Sequence, residues 1–95
     1  MADVSDERGR VLALLRHNHE FPCAYNLKAI VRAGESATVV STVAATGVRI
    51  LSVDERESRT GAYLSVRFRV HMPSAESVLE VYDTLSRLDS VVTTL

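Results

Sequence analysis

Cysteine and long apolar runs are scarce in this 95-residue chain. The single cysteine, Cys23, cannot form a disulfide within the chain, which is typical of a protein in a reducing compartment. The first residues, Met1 to Glu7, are acidic and no long apolar run follows them, so we expect no secretory signal. No stretch approaches the roughly 20 apolar residues that a membrane helix needs. We therefore expect a cytoplasmic protein that contacts no membrane.

An excess of charge of one sign is also lacking. Eleven Lys and Arg residues are balanced by twelve Asp and Glu residues, which leaves a net charge of −1. This overall balance gives no electrostatic reason to expect nucleic acid or an anionic membrane as a partner, and only a local basic patch would change that. The length predicts a single domain with one modest core.

The residue patterns that mark catalytic and metal sites are missing as well. The chain has no GxGxxG motif, no phosphate-binding loop and no Ser-His-Asp set. His17 and His19 lie two residues apart in a polar segment, without the third and fourth ligands that zinc requires. Cys23 would need a base held nearby to act as a nucleophile, and no pattern indicates one. We therefore expect no catalytic residue, no metal and no cofactor.

A strict alternation of apolar and polar residues is present between Leu64 and His71. Successive side chains of a strand point to opposite faces, so this segment predicts a strand with one buried and one solvated face. The apolar set comprises Leu64, Val66, Phe68 and Val70, and the polar set comprises Ser65, Arg67, Arg69 and His71. Pro73 ends the strand because it lacks a backbone N–H, and Ser74 is a natural cap for a following helix.

Helical spacing of apolar residues follows Ser74 and predicts an amphipathic helix. Its apolar stripe comprises Val78, Val81, Tyr82, Leu85 and Leu88. Because a helix of this length is marginal alone, it must pack on another element. The β-branched segment from Val91 to Leu95 then predicts a short final strand.

The first half of the chain predicts a similar succession of elements. Tyr25 to Val31 alternates as a strand, and 36–46 predicts a helix with Ser36 as its cap and Gly47 as a left-handed end, although the β-branched content of this segment favours a strand. Val48 to Val53 predicts a second strand, followed by a solvated turn from Asp54 to Glu57. Ahead of them, Asp6 and Glu7 precede apolar residues that predict a short N-terminal helix or arm.

The predicted order is strand, helix, strand, strand, helix, strand. This is the α+β, ferredoxin-like βαββαβ sandwich, in which two helices cover one face of a four-stranded antiparallel sheet. We expect an N-terminal arm or short helix over residues 1–20 and the ferredoxin-like domain over residues 21–95. The first and third strands are expected to be central neighbours, so the uncovered face is predicted to carry Lys28, Arg67, Arg69 and His71.

Several stretches of the chain together resemble the YbeD-like family of small bacterial proteins of unknown function. They are Phe21-Pro22 followed by a strand carrying Lys28, the segment from Gly61 to Val66, the helix from Glu76 to Tyr82 with Leu85, and Leu88-Asp89 with Val91-Val92. The resemblance implies the same ferredoxin-like fold, similar to ACT-type regulatory domains that bind small effectors and pair side by side. It implies no catalytic residue, since the family has none established.

The predicted basic face allows more than one interpretation. One interpretation is a solvated surface covered by long basic side chains, and the other is a surface that binds a partner protein or a small anionic effector. If a homodimer buried this face, acidic partners would be needed, and Asp54, Glu55 and Glu57 are the candidates within the chain. Our hypothesis is a non-catalytic regulatory or adaptor module that binds a partner protein or a small anionic effector.

Two other classes of function are weaker alternatives. An RNA-recognition motif places stacking aromatic residues on its third strand. Tyr63 fits that pattern, but Ser65 replaces the central aromatic residue and Phe68 belongs to the buried side. The stacking energy of about 1–3 kcal/mol per base is therefore missing, and nucleic acid is disfavoured. An enzyme is the remaining alternative, with Cys23 or His71 as the residue to test.

Overall fold

The computed structural model describes residues 4–94, which form three helices and one four-stranded sheet. The elements in chain order are α1 (Val4–Asn18), β1 (Cys23–Arg32), α2 (Ser36–Ala45), β2 (Arg49–Glu57), β3 (Tyr63–Met72), α3 (Ala75–Ser86) and β4 (Val91–Thr94). The order across the sheet is β2-β3-β1-β4, and every neighbouring pair is antiparallel. The predicted α+β class and the four-stranded antiparallel sheet are confirmed.

One hydrophobic core joins the sheet to α2 and α3. The inward side chains of β1 and β3 and the buried side chains of the two helices belong to a single cluster, so both helices lie on the same face of the sheet. The cluster comprises Leu27, Ala29, Val31, Val39, Val43, Val66, Phe68, Val70, Met72, Val78, Val81 and Leu85. The predicted alternation of β3 is confirmed, because Val66, Phe68 and Val70 are at most 1% exposed while Arg67 and Arg69 are exposed.

The second strand is longer than its sequence pattern predicts. The prediction ended it at Val53 and placed Asp54 to Glu57 in a turn, but β2 continues to Glu57, which pairs with Leu64. The prediction failed because β2 is an edge strand whose charged residues are solvated on both faces, which leaves no alternation to detect. The turn lies between Ser58 and Tyr63, with Gly61 at a φ of +75°.

A β-bulge explains the irregular apolar pattern of β2. Ile50 pairs with Val70 and Ser52 pairs with Arg69, so Leu51 is an extra residue on β2 and its side chain is 43% exposed. The bulge restores the inward direction at Val53 despite the break in alternation. A simple period of two therefore cannot assign the faces of this strand.

The ends of α2 and α3 are formed differently. The predicted cap of α3 is confirmed, because the Ser77 N–H donates to Ser74 Oγ at 3.2 Å. The predicted cap of α2 is wrong, because Glu35 rather than Ser36 occupies the cap position and no side chain caps the helix there. Gly47 has a φ of +93° after the last turn, as predicted.

The N-terminal segment forms helix α1, which packs on α3. Arg8 Nη1 lies 3.1 Å from Asp83 Oδ2, and Arg16 pairs with Glu76. Leu15 packs against the edge of the core, while Leu14 is 60% exposed. His17, which the sequence analysis assigned only to a polar segment, lies in this helix. Within residues 4–94, no helix combines the length and the apolar content needed to cross a membrane.

Candidate binding site on the open sheet face

The face of the sheet opposite α2 and α3 carries the predicted basic residues; we call it the open sheet face. Lys28 on β1 lies directly opposite Arg67 on β3, and Asn26 lies opposite Arg69. Directly opposite residues of an antiparallel pair have Cβ atoms about 4.5–5.5 Å apart. Arg67 and Arg69 are exposed and Lys28 is half-buried. The structure therefore places these three cations side by side on one surface.

His71, the fourth predicted residue, lies at one end of the same surface. It is half-buried and pairs with Ala24 on β1 and with Arg49 on β2. It is two residues beyond Arg69 along β3, a separation of about 6–7 Å between Cα atoms. His71 thus borders the cation cluster, with Arg49 as its nearest basic cross-strand neighbour.

Strand β2 adds two cations that the sequence analysis missed, and it places one of the candidate acids, Asp54, between them. Arg49, Asp54 and Arg56 are exposed and lie opposite outward residues of β3, namely His71, Arg67 and Ser65. The alternation of β2 hides this placement because Leu51 bulges and because residues 54–57 were assigned to a turn. A prediction that extended β2 to Glu57 and paired it with β3 would have placed these residues on the open sheet face.

The charges on the open sheet face are unequal. Its cations are Lys28, Arg32, Arg49, Arg56, Arg67 and Arg69, and its one carboxylate among the described side chains is Asp54. The other two acids proposed as partners, Glu55 and Glu57, pair with the inward-facing residues Val66 and Leu64 and so belong to the opposite side of β2. The surface is therefore strongly basic, although the whole chain carries a net charge of −1.

These cations lack ion-pair partners within the described part of the chain. The two ion pairs between described residues, Arg8–Asp83 and Arg16–Glu76, both join α1 to α3. Like charges directly opposite each other on a sheet are destabilising, and Lys28 and Arg67 are such a pair. The cluster thus opposes the stability of the sheet, while its guanidinium groups stay free to bind an external anion.

Two shallow depressions lie on this surface. One, of about 500 Å³, is lined by Asn26, Lys28, Ser52, Asp54, Arg67 and Arg69, among others. The second, of about 600 Å³, extends toward the β2–β3 turn and shares Lys28, Asp54 and Arg67 with the first. Both volumes are within the usual range for small-molecule sites.

Two of the residues weighed for other chemistry, His71 and Tyr63, lie on this surface, and the others do not. Phe68 is 1% exposed and points into the core, so it cannot stack on a base, whereas Tyr63 is 44% exposed at the end of β3. The His19 ring centroid lies 5.0 Å from that of Tyr25 and 6.0 Å from that of Phe21, so His19 belongs to an aromatic contact. Cys23 is half-buried. Among the described residues, no three or more His, Cys, Asp or Glu side chains form a group that suits a metal ion.

Comparisons with known proteins give a family and a fold. The model of the family described as "Protein of unknown function (DUF493)" matches residues 16–95. A UPF0250 protein from Hahella chejuensis is 39% identical over 67 residues, which cover 66% of this chain and 74% of that protein. The solution structure of protein HP0495 from H. pylori is similar with a TM-score of 0.71 and 18% identity, covering 81% of this chain and 85% of that one.

Proposed function

The chain belongs to the DUF493 family of proteins of unknown function, and we propose that it is a non-catalytic regulatory or adaptor module that binds an acidic surface of a partner protein. The family membership agrees with the resemblance to YbeD-like proteins. The observation that carries the proposal is the open sheet face, where six cations accompany one carboxylate. Nothing in a family of unknown function supplies this role, so the proposal depends on the chemistry of that face.

The geometry of the cations suits carboxylates on a broad surface. Arg67 and Arg69 are exposed on one strand and alternate with inward residues, so their guanidinium groups project from the same face. An arginine binds a carboxylate through two parallel hydrogen bonds, which gives direction as well as strength. A local basic field also speeds the encounter with an acidic protein and weakens as salt is added.

We also propose a fold and a cellular location for the chain. We assign the domain to the ferredoxin-like sandwiches, which the strand order β2-β3-β1-β4 and the likeness to HP0495 support. We place it in the cytoplasm of a bacterium, where the one half-buried cysteine would stay reduced. An acidic protein partner is favoured over RNA because Phe68 is buried and only Tyr63 is an exposed aromatic residue on β3.

A small anionic effector is the second candidate. The depression of about 500 Å³ favours it, because Lys28, Arg67 and Arg69 converge there with the polar side chains of Asn26 and Ser52. A compact anion such as a dicarboxylate would occupy this depression without covering Arg49 or Arg56. The two candidates therefore differ in the area of the open sheet face that the ligand protects.

Charge reversal on the open sheet face tests the proposal. In bacterial lysate, we expect the native chain to crosslink reproducibly to one partner protein. The variant that combines Arg67→Glu with Arg69→Glu should lose this crosslink. The matched control combines Arg10→Glu with Arg87→Glu, two exposed residues on α1 and after α3, because it changes the net charge equally. Retention of every partner by the first variant would refute the role of the open sheet face. Loss of the partner in both variants would show that net charge alone is responsible.

A further inference from the structure

Strand β1 is only partly paired on the side of β4. It has ten residues and pairs with β3 along its whole length, from Cys23 opposite Met72 to Arg32 opposite Tyr63. By contrast, β4 pairs only with Ala29, Ile30 and Val31. Among residues 4–94 no strand lies beside residues 23–28 on that side; we call this stretch the free β1 edge.

The direction of each backbone N–H and C=O group along the free β1 edge follows from the hydrogen bonds at the end of β1. The Arg32 N–H donates to Ser90 O on the β4 side at 2.9 Å, and the Ala33 N–H donates to Ala62 O on the β3 side at 3.0 Å. These directions alternate along a regular strand, and β1 pairs with β3 without a register shift. The N–H and C=O groups of Ala24, Asn26 and Lys28 therefore point to the free β1 edge.

We propose that the free β1 edge binds an extended acidic segment of a partner protein, which adds to the sheet as a strand in line with β4. Ala24 and Asn26 are exposed, so a new strand can reach their backbone groups. Main-chain hydrogen bonds provide affinity in this mode of recognition, and alternate side chains provide specificity. This inference rests on the proposed function and names the part of the partner that binds.

Register and charge predict which residues of the segment are acidic. In an antiparallel pair, the residues that exchange both hydrogen bonds point their side chains to the same face. The residues of the bound segment that pair with Ala24, Asn26 and Lys28 would therefore project onto the open sheet face. They would lie beside Lys28, and β1 would separate them from Arg67 and Arg69. Acidic residues at every second position of the segment would meet these cations.

A second copy of the chain fits the free β1 edge less well. If its β1 lay antiparallel here, it would run past Lys28 into the space where Thr94 pairs with Ala29. Two basic faces would also lie side by side. The opposite edge of the sheet is β2, whose bulge at Leu51 and charged residues from Asp54 to Glu57 disfavour strand addition. A separate acidic segment avoids both problems.

Peptide binding measured by fluorescence anisotropy tests the inference. The probe is a labelled seven-residue peptide in which glutamate and valine alternate. N-methylation of the glutamate amides removes the N–H groups that face β1, and we expect it to raise the Kd at least about tenfold. N-methylation of the valine amides alters groups that point away from β1, so the Kd should change less than about threefold. Equal effects of the two modifications would overturn the inference.

Amide hydrogen exchange locates the peptide on the chain. The amides of Ala24 and Asn26 should exchange rapidly in the free protein and at least about tenfold more slowly with the peptide, while those of Tyr25 and Leu27 are already protected by β3. Two results would contradict binding of an acidic protein segment. In the first, these amides are protected without the peptide and sedimentation shows that the chain self-associates. In the second, a single-stranded RNA oligomer protects Ala24 and Asn26 and the peptide does not.

Two substitutions separate this inference from the proposed function. Asn26→Pro removes one N–H at the free β1 edge, where proline is tolerated because no strand accepts that bond, and it should weaken peptide binding while Asn26→Ala does not. If the proline variant does not fold, the N-methylated peptides still decide. Binding that depends on Arg67 and Arg69 but is insensitive to glutamate N-methylation would refute the edge and leave the open sheet face in place.

Discussion

At the scale of single residues, Arg67 has one cross-strand neighbour of like charge and one of opposite charge. Lys28 lies opposite it on β1 and Asp54 lies opposite it on β2. The carboxylate of Asp54 is the one described acid that offsets the repulsion among the cations of the open sheet face. Because Asp54 and Arg67 are both exposed, the contribution of Asp54 to the stability of the fold is small and sensitive to salt.

This arrangement predicts the effect of neutralising Asp54. We expect Asp54→Asn to lower the free energy of unfolding by about 0.5 kcal/mol in low salt, because the cations then repel one another without compensation. The control is Glu55→Gln, the next residue on the strand, which faces the other side. Urea unfolding at low salt and at 0.5 M salt, a concentration that shortens the screening length to roughly 4–5 Å, measures both. Equal effects of the two substitutions would contradict the account.

Tyr82 provides a second prediction at this scale. Burial raises the pKa of Tyr82 well above its ordinary value of 10.0, and the neighbouring Tyr25 raises it further. Above pH 10 the unfolded chain therefore loses the Tyr82 proton while the folded chain retains it. The unfolded state then binds fewer protons, so the free energy of unfolding falls as the pH rises beyond 10.

We expect Tyr82→Phe to make this alkaline fall in stability shallower, because phenylalanine has no proton to lose. The matched control is Tyr63→Phe, which removes the hydroxyl of an exposed tyrosine. Urea unfolding at pH 8, 10 and 11 compares both variants with the native chain. A slope unchanged by Tyr82→Phe, or changed equally by both substitutions, would show that Tyr82 does not cause the alkaline loss.

At the scale of elements, the two core-packed helices begin in different ways. Ser74 accepts a hydrogen bond from the backbone of α3, while no side chain caps α2. Ser74→Ala should therefore lower the free energy of unfolding by about 1 kcal/mol, since a helix cap contributes roughly that amount. Ser36→Ala should change it by less than about 0.5 kcal/mol. Thermal or urea unfolding of the two variants decides, and a larger loss for Ser36→Ala would contradict the observed caps.

The sequence predicted elements well where one face of a strand or helix is buried. The alternation of β3 and the stripe of α3 arise from contact with the core, and both elements were predicted correctly apart from Leu88, which lies beyond the end of α3. Helix α2 was predicted against its β-branched content, because Val39 and Val43 have helical spacing and both are buried. A strand or helix that is buried on one face thus has a regular spacing of apolar residues, and this spacing is what the sequence analysis detects.

Prediction failed for β2 for the same physical reason. Its outer half, Asp54 to Glu57, is exposed on both faces and so carries no period, and the extra residue Leu51 breaks the period of the inner half. Lys28, Arg67 and Arg69 were placed on one face correctly because they belong to the two central strands. Arg49 and Arg56 were missed, and Asp54 was assigned to a turn, because their placement depends on the pairing of an edge strand.

At the scale of the whole molecule, the two faces of the sheet have different environments. One face packs against α2 and α3 and supplies the core, while the other is uncovered and carries six cations. A chain with a net charge of −1 concentrates these cations on one surface, which leaves its acids in excess elsewhere. Such separation of charge favours a defined orientation when an acidic partner approaches.

The most direct test of this account is the amide NMR spectrum of the labelled chain during titration with poly-L-glutamate. We expect the largest shift changes at Lys28, Arg67, Arg69 and their strand neighbours, and their loss when the salt concentration is raised. Changes confined to α2 and α3, or an unchanged spectrum at low salt, would contradict the claim that the open sheet face recognises an acidic partner.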